Sequence, residues 1–485
     1  MDKSLSDQSM HAFFWLSIDK LGGSTMNFII TIILARLLLP EDFGLVAMVM
    51  VFFELCSTFV ESGFFPALVR EKSISEMDKS TTFIFNLISA IIVYIILFLA
   101  APAIARLFDQ EILTLIVRLM GINLIIFAFS IIQRAQLTHQ IDFKTQTKVR
   151  LVAVLISGGV AILLALNGFG VWSLVAKILL MALIDTTLLW IMKPWTPVLT
   201  FHQESFKRLF GFGYKILLSS LLDKFYQQIY KLLIGKFYSS ATLGFYTQAS
   251  NFSNMVINTL FRTLEKITYP VLSKLQDNRE RLKAGYRKVI KMSSFIVIPA
   301  MVMLGVLAKP LILSLIGEKW LPAVPFLHLL CISGITYHFS QINLNMLLVL
   351  GRSDLGLKLE IIKKITITLA IIIGIQFGIY GLVIGEVIAA YINLFINAYY
   401  SKIFLKYSLY QQVKDVSATF FFSIITGLLI LCLLNFTPIT GIFLVILASG
   451  GGLVVYFGLH LFAKTEEMQV LLQVILPKTI HLLRH

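Results

Sequence analysis

An all-α polytopic membrane protein is predicted by three features of this chain: its apolar content, the length of its apolar runs and the placement of its charges. Of 485 residues, 58% are hydrophobic and 14% charged, against roughly 45–50% and about 25% in soluble domains. Many runs reach the roughly 20 residues with which an α-helix crosses a bilayer. No stretch alternates with a period of two, which argues against a spanning β-barrel. With that composition, the net charge of +15 points to the membrane surface and its lipids as the partner, and no nucleic-acid partner is expected.

About 14 transmembrane helices follow in order. The first two, 11–38 and 43–66, meet at "LARLLLPEDFGLVA" (Leu34–Ala47). There Pro40 is expected to end one span and Gly44 to permit the turn, with Glu41 and Asp42 capping the positive end of the next helix. Spans three to six fall at 80–104, 111–133, 149–167 and 170–192. Spans seven and eight, 209–235 and 242–269, meet at "IGKFYSSATLGFYTQA" (Ile234–Ala249), which sets Lys236 against Arg36 and Gly244 against Gly44. Spans nine to twelve fall at 289–308, 321–349, 359–377 and 379–401. Spans thirteen and fourteen, 413–434 and 438–462, carry almost no charge and are expected to be peripheral.

Charge sorts the connections into two classes. The even ones, among them "RAQLTHQIDFKTQTKVR" and "SKLQDNRERLKAGYRKVIK", hold 24 Lys and Arg, and the odd ones about five. Positive charge collects on cytoplasmic loops, so both termini are expected in the cytoplasm. No loop is long enough to fold an external catalytic domain.

The echo of the first turn belongs to a longer internal repeat. "PAIARLF" (Pro102–Phe108) matches "PLILSLI" (Pro310–Ile316), and "GVWSLVA" (Gly170–Ala176) matches "GIYGLVI" (Gly378–Ile384). The shift spans an even number of crossings, so six spans repeat in the same topology, the pattern of two lobes in parallel repeat. The expected division is an N-lobe over 1–200, a C-lobe over 201–408, two accessory helices over 409–463 and a cytoplasmic tail over 464–485.

Ionisable groups at membrane depth are costly and face a bundle interior or a water-filled cavity. Span one carries Asp19 and Lys20; span seven carries Asp223, Lys224 and, two turns on, Lys231. Span two shows Glu54, Thr58 and Glu61 on one face. Span eight shows a continuous stripe of Thr247, Asn251, Asn254, Asn258, Arg262 and Glu265. Arg118 lies in span four, Lys177 and Asp185 in span six, and Glu386 in span twelve. The asparagines serve equally as interhelical glue. Arg262, Glu265 and Lys266 fit a snorkelling role as well as a ligand role. His338 reads as a satisfied core histidine.

Much chemistry is missing. There is no GxxxxGK[ST] phosphate loop, no HExxH and no Cys/His cluster, and Cys56, Cys331 and Cys432 sit inside apolar runs as small hydrophobes. "MDKSLSDQSM", with two acids and no early apolar core, is not expected to be a cleaved signal peptide. No cofactor, no metal and no enzymatic activity are expected; a two-lobed bundle with buried charges and no nucleotide engine suggests transport.

The stretches "ARLLLPEDFGLVAMVMVF", "YPVLSKLQDNRERLKAGY", "PLILSLIGEKWLPAVPFLHLL" and "GRSD", in this order, resemble the polysaccharide transporters, the Wzx-like lipid-linked oligosaccharide flippases of bacterial envelopes. These belong to the multidrug/oligosaccharidyl-lipid/polysaccharide exporter superfamily, and the nearest subgroup is that of the colanic acid and teichuronic acid exporters. The resemblance implies two six-helix lobes plus two accessory helices in the cytoplasmic membrane, alternating access, and a cationic cavity for an undecaprenyl-diphosphate-linked oligosaccharide. It places the Arg36–Gly44 turn on the external side. Lys20, Arg118, Lys177, Lys224, Lys231, Asn251, Asn254, Asn258 and Arg262 are then the substrate-binding candidates. Asp19, Glu54, Glu61, Asp185, Asp223 and Glu386 are the coupling-ion candidates. Lys231 stands where an acid is expected, which favours a phosphate contact over a bound cation. A polysaccharide polymerase and glycosyltransferases are candidate partners, and a monomer is expected. Drug/cation antiport, lipid II flipping and a membrane polymerase are the competing readings.

Overall fold

The computed structural model describes Trp15 and residues 22–437 and 441–475. Among them the chain is helical, with no strand. The helices are α1 (Ser24–Leu37), α2 (Pro40–Glu61), α3 (Phe64–Arg70), α4 (Glu76–Leu107), α5 (Leu113–His139), α6 (Phe143–Leu166), α7 (Val171–Met192), α8 (Gln203–Phe237) and α9 (Ser240–Ser273). They continue as α10 (Arg279–Val306), α11 (Ala308–Leu315), α12 (Ala323–Val349), α13 (Ser353–Gly374), α14 (Gly378–Leu405), α15 (Leu409–Asp415), α16 (Ser417–Phe436), α17 (Ile442–Phe462) and α18 (Glu466–Val470).

Among the described residues, ten segments are long and apolar enough to cross a membrane, one of which, Asp354–Leu405, contains most of α13 and all of α14. This is a multi-pass membrane protein. The count of fourteen is not reproduced by length and apolarity: α8 and α9 are too polar to qualify, and the described part of α1 has only 14 residues. The short helices α3, α11, α15 and α18 lie between or after the long ones, too short to cross a membrane. Side chains such as Leu99 and Phe462, 71% and 90% exposed, are apolar surface of the kind that lipid covers.

The contacts divide the chain into a unit over Met1–Thr247 and a unit over Gln248–His485. In the first, α4 packs on α5, α6 on α7, and α8 on α2, α3 and α4. An aromatic and aliphatic core of Phe64, Leu68, Phe83, Ile132 and Leu209 gathers around α3. Beside it, Arg208 at the start of α8 reaches Asp78 at 2.5 Å and Glu71 at 3.7 Å. Asp78 also closes the capping box of α4 with Ser75, so one carboxylate fixes a helix start and ties a second helix to it.

The first hairpin turn is built as expected at its cap. Pro40 opens α2, where its missing N–H costs nothing, and the Asp42 carboxylate accepts the Leu39 N–H at 2.9 Å. Gly44 requires a correction. It lies inside α2, and its φ is not positive. A Cβ on Gly44 would collide with the Ser240 carbonyl, and a Cβ on Gly244 with the Pro40 carbonyl. The echoed turns therefore touch each other reciprocally, backbone against backbone, and each glycine is there for close approach.

In the second unit, α12 packs on α14, α13 on α14, and α10 on α12 and α16. The charge-poor pair α16–α17 packs on α10: Met303 and Leu307 share a core with Ile430 and Ala448, and the Tyr456 hydroxyl donates to the Phe295 carbonyl at 2.9 Å. In the polar first half of α10, Arg287 donates two hydrogen bonds of 2.7 Å to Asp415, and Lys291 meets Glu466 and Glu467 at 2.7 and 3.2 Å. Burial alone would raise the Asp415 carboxyl, but hydrogen bonds from Arg287 and Tyr407 outweigh it and hold the group below its ordinary value. The stabilisation from this latch is thus present above the ordinary carboxylate range and disappears as the pH falls below it.

Gly44→Leu and Gly244→Leu should each cost on the order of 1–3 kcal/mol through overpacking, read as a lower unfolding temperature in detergent. Gly159→Ala, where nothing lies within 4 Å of the added carbon, is the control that should not move it. Wild-type unfolding of both leucine variants would contradict the reciprocal contact.

Candidate functional site

The charged residues of the first unit are best understood from the seam between α2 and α8. At one end, a Cβ on Gly63 would strike the Gly213 backbone. At the other lies the contact of Gly44 with Ser240, just beyond α8. The two helices therefore run antiparallel with small residues at either end of the seam. Midway, Lys224 donates to Glu54 at 2.7 Å. The side chains are 39% and 29% exposed, so the pair is half-buried and open on one side. A charged pair cannot open onto hydrocarbon, which makes that side a polar, water-accessible one.

Two further charges extend this pair. Glu61 lies seven residues along α2 from Glu54, about 10 Å by helical rise. Lys231 lies seven residues along α8 in the other direction, on the same face as Lys224. Because the helices are antiparallel, the four groups form a ladder in the order Glu61, the Glu54–Lys224 pair, then Lys231. Asp223, next to Lys224, is half-buried and not unpaired.

The remaining expected site residues are engaged elsewhere. Lys177 of α7 donates to Thr31 of α1 at 3.3 Å. Arg118 of α5 lies 4.3 Å over the Phe98 ring of α4. Asp185 of α7 forms an ion pair with Arg134 of α5, and its side chain is 8% exposed. Sequence reasoning missed Arg134, because the apolar run ends at Gln133 and the residue reads as the first of a basic loop. The signal was the helical spacing of "IIQRAQLTH", which carries α5 on to His139. Asp78 was missed for the same reason at the start of α4.

In the second unit, Asn251 donates to Gln248 at 3.3 Å and Asn254 to Ser250 at 2.9 Å, both within α9. Asn258 and Arg262 continue that helix, and their side chains lie outside the described set, as do those of Glu265 and Lys266. Asp19 and Lys20 fall outside the described residues altogether. Glu386 of α14 is half-buried and not unpaired. His338 is fully buried and hydrogen-bonded to Ser294 at 2.9 Å, the core histidine expected. A cavity of about 710 Å³ in this unit is lined by apolar side chains such as Val302, Ile332 and Leu434, with Lys309, His328 and Asn435 as its polar groups. It holds none of the expected site residues, so volume and charge point to different places, and the charges carry the chemistry. Among the described residues, no group of three or more His, Cys, Asp or Glu is placed to hold a metal.

Residues 33–325 match the polysaccharide biosynthesis protein family. This chain belongs to that family. Among its relatives are the teichuronic acid biosynthesis protein TuaB of Bacillus subtilis, 26% identical over 61% of this chain and 62% of its own, and the succinoglycan biosynthesis transport protein ExoT of Rhizobium meliloti, 24% identical over 66% and 65%. The match thus spans somewhat under two thirds of either relative. The lipopolysaccharide biosynthesis protein WzxC of Escherichia coli is 22% identical over 76% of both chains. Among solved structures, the lipid II flippase MurJ in an inward closed conformation superposes with a TM-score of 0.77 over 92% of this chain and 98% of its own, at 17% identity. An inward-facing multidrug resistance MATE transporter gives 0.63 over 80% and 98%, at 18% identity. At such identities the structures establish the fold alone.

The Asp185–Arg134 pair makes a clear expectation for a coupling-ion candidate. Asp185→Asn should lower stability by about 1–3 kcal/mol, since it leaves Arg134 without its counter-charge. It should leave the ion dependence of transport unchanged at equal protein level. A changed ion dependence with normal stability would return Asp185 to the coupling role.

Proposed function

We propose that the protein is a flippase that carries an undecaprenyl-diphosphate-linked oligosaccharide across the cytoplasmic membrane, for envelope or exopolysaccharide synthesis. The observation that carries this reading is the pair Lys224 and Lys231 on one helix of a polysaccharide biosynthesis family member. Two ammonium groups one heptad apart suit a diphosphate, which needs charge-assisted hydrogen bonds once it leaves bulk water. The relatives named for teichuronic acid, succinoglycan and lipopolysaccharide support a saccharide cargo. The asparagines of α9 offer amides that could wet a sugar path, and a polyprenyl tail would stay in lipid.

In this reading the chain makes fourteen crossings, six in an N-lobe over 1–200, six in a C-lobe over 201–408 and two over 409–463, with both termini cytoplasmic. The charge parity of the connections supports that orientation. Transport would proceed by alternating access. The reciprocal contact of Gly44 with Ser240 and of Gly244 with Pro40 supports a closed external end that must part to release cargo. A flipped repeat unit is made on one side and consumed on the other, so glycosyltransferases and a polymerase are the fitting partners. A lipid II flippase is a second reading, favoured by the likeness of fold to MurJ. Drug/cation antiport is disfavoured by the lysines.

Cells lacking the protein should accumulate a lipid-linked oligosaccharide on the cytoplasmic leaflet. The Lys224→Ala/Lys231→Ala double variant should reduce polymer export about tenfold or more at normal membrane level, the equivalent of about 1.4 kcal/mol or more of lost interaction. Normal export by that variant would defeat the claim.

A further inference from the structure

We infer that Glu54 is a built-in competitor for the cargo's phosphate: in the empty protein its carboxylate occupies Lys224, and an incoming phosphate must displace it. The inference rests on the reading of Lys224 as a phosphate contact and adds what holds that lysine beforehand. Three observations lead to it. Glu54 and Lys224 are already in contact at 2.7 Å, so no free ammonium waits at this position. The pair is partly exposed on a side that must be polar, so an anion can reach it without unfolding the seam. Lys231, seven residues or about two turns on, lies on the same face of α8 as Lys224. A phosphate bridging the two lysines would therefore meet two cations, where Glu54 offers one carboxylate to one lysine.

One ion pair with Lys224 breaks and another forms, and the displaced Glu54 carboxylate is left to water on the open side of the seam. Its consequence is selectivity. A weak or singly charged anion gains too little to expel Glu54, whereas a diphosphate gains a second lysine. The exchange would also loosen α8 from α2 at the middle of their seam, leaving the backbone contacts at the two ends. Binding and release of the helix pair would thus be one event.

The test is binding of inorganic pyrophosphate to the purified full-length protein in detergent at low ionic strength. A partly exposed pair is worth up to about 1 kcal/mol, so Glu54→Gln should bind pyrophosphate about fivefold more tightly than wild type, and Lys224→Ala should lose most of the binding. The charge reversal Glu54→Lys/Lys224→Glu restores an ion pair at the same place and should restore the unfolding temperature, yet not pyrophosphate binding or export. Export restored by the reversal would show that the pair serves structure alone and overturns the inference. Equal or weaker binding by a folded Glu54→Gln protein also overturns it, even where Lys224→Ala abolishes binding and the phosphate role of Lys224 stands. Absence of pyrophosphate binding in wild type and Glu54→Gln alike overturns it together with that role.

Discussion

The seam between α2 and α8 is the constraint on which the rest of the first unit depends. Lys224 and Glu54 can neutralise each other only if their backbones come close, and the contacts of Gly63 with Gly213 and of Gly44 with Ser240 bring them there. Either charge alone, at this depth, would cost several kcal/mol. Together they leave a polar site without an uncompensated ion. A sequence that is more than half hydrophobic can then carry a helix as polar as α8 through its middle.

The same seam links local structure to function. The Arg208 pairs with Asp78 and Glu71 fix the start of α8 against α4, the Glu54 pair fixes its middle, and Lys236 lies 3.8 Å from Asp109 near its end. Each of these is a partly exposed ion pair of modest strength, unlike the dry packing that joins α16 and α17 to α10. A partly exposed tie of this kind can be exchanged for a competing ligand, while Leu209 keeps the start of α8 packed in the apolar core around α3.

Much of this was legible in the sequence. Apolar run length gave the class, and Asp42 was recognisable as a cap because its acid falls two residues after a proline at a helix start. Glu54 and Lys224 stood out because a charge inside an apolar run must have a reason. Their pairing was not legible, since periodicity says which face a residue occupies and not which helix lies opposite. Gly44 was misread for a similar reason: a glycine near a turn and a glycine at a helix crossing look alike until the second backbone is seen. Arg134 and Asp78 were hidden by helices that run past their apolar runs, where polar ends give no sign that the helix continues.

The central claim is that this membrane protein moves a lipid-linked saccharide, and reconstitution measures it most directly. Purified protein would be placed in liposomes with an undecaprenyl-diphosphate-linked oligosaccharide, and the fraction of saccharide accessible to an external glycosidase followed with time. The account predicts transbilayer movement well above that of protein-free liposomes, abolished by Lys224→Ala/Lys231→Ala. Movement no faster than in protein-free liposomes, from protein shown to be folded, would contradict it.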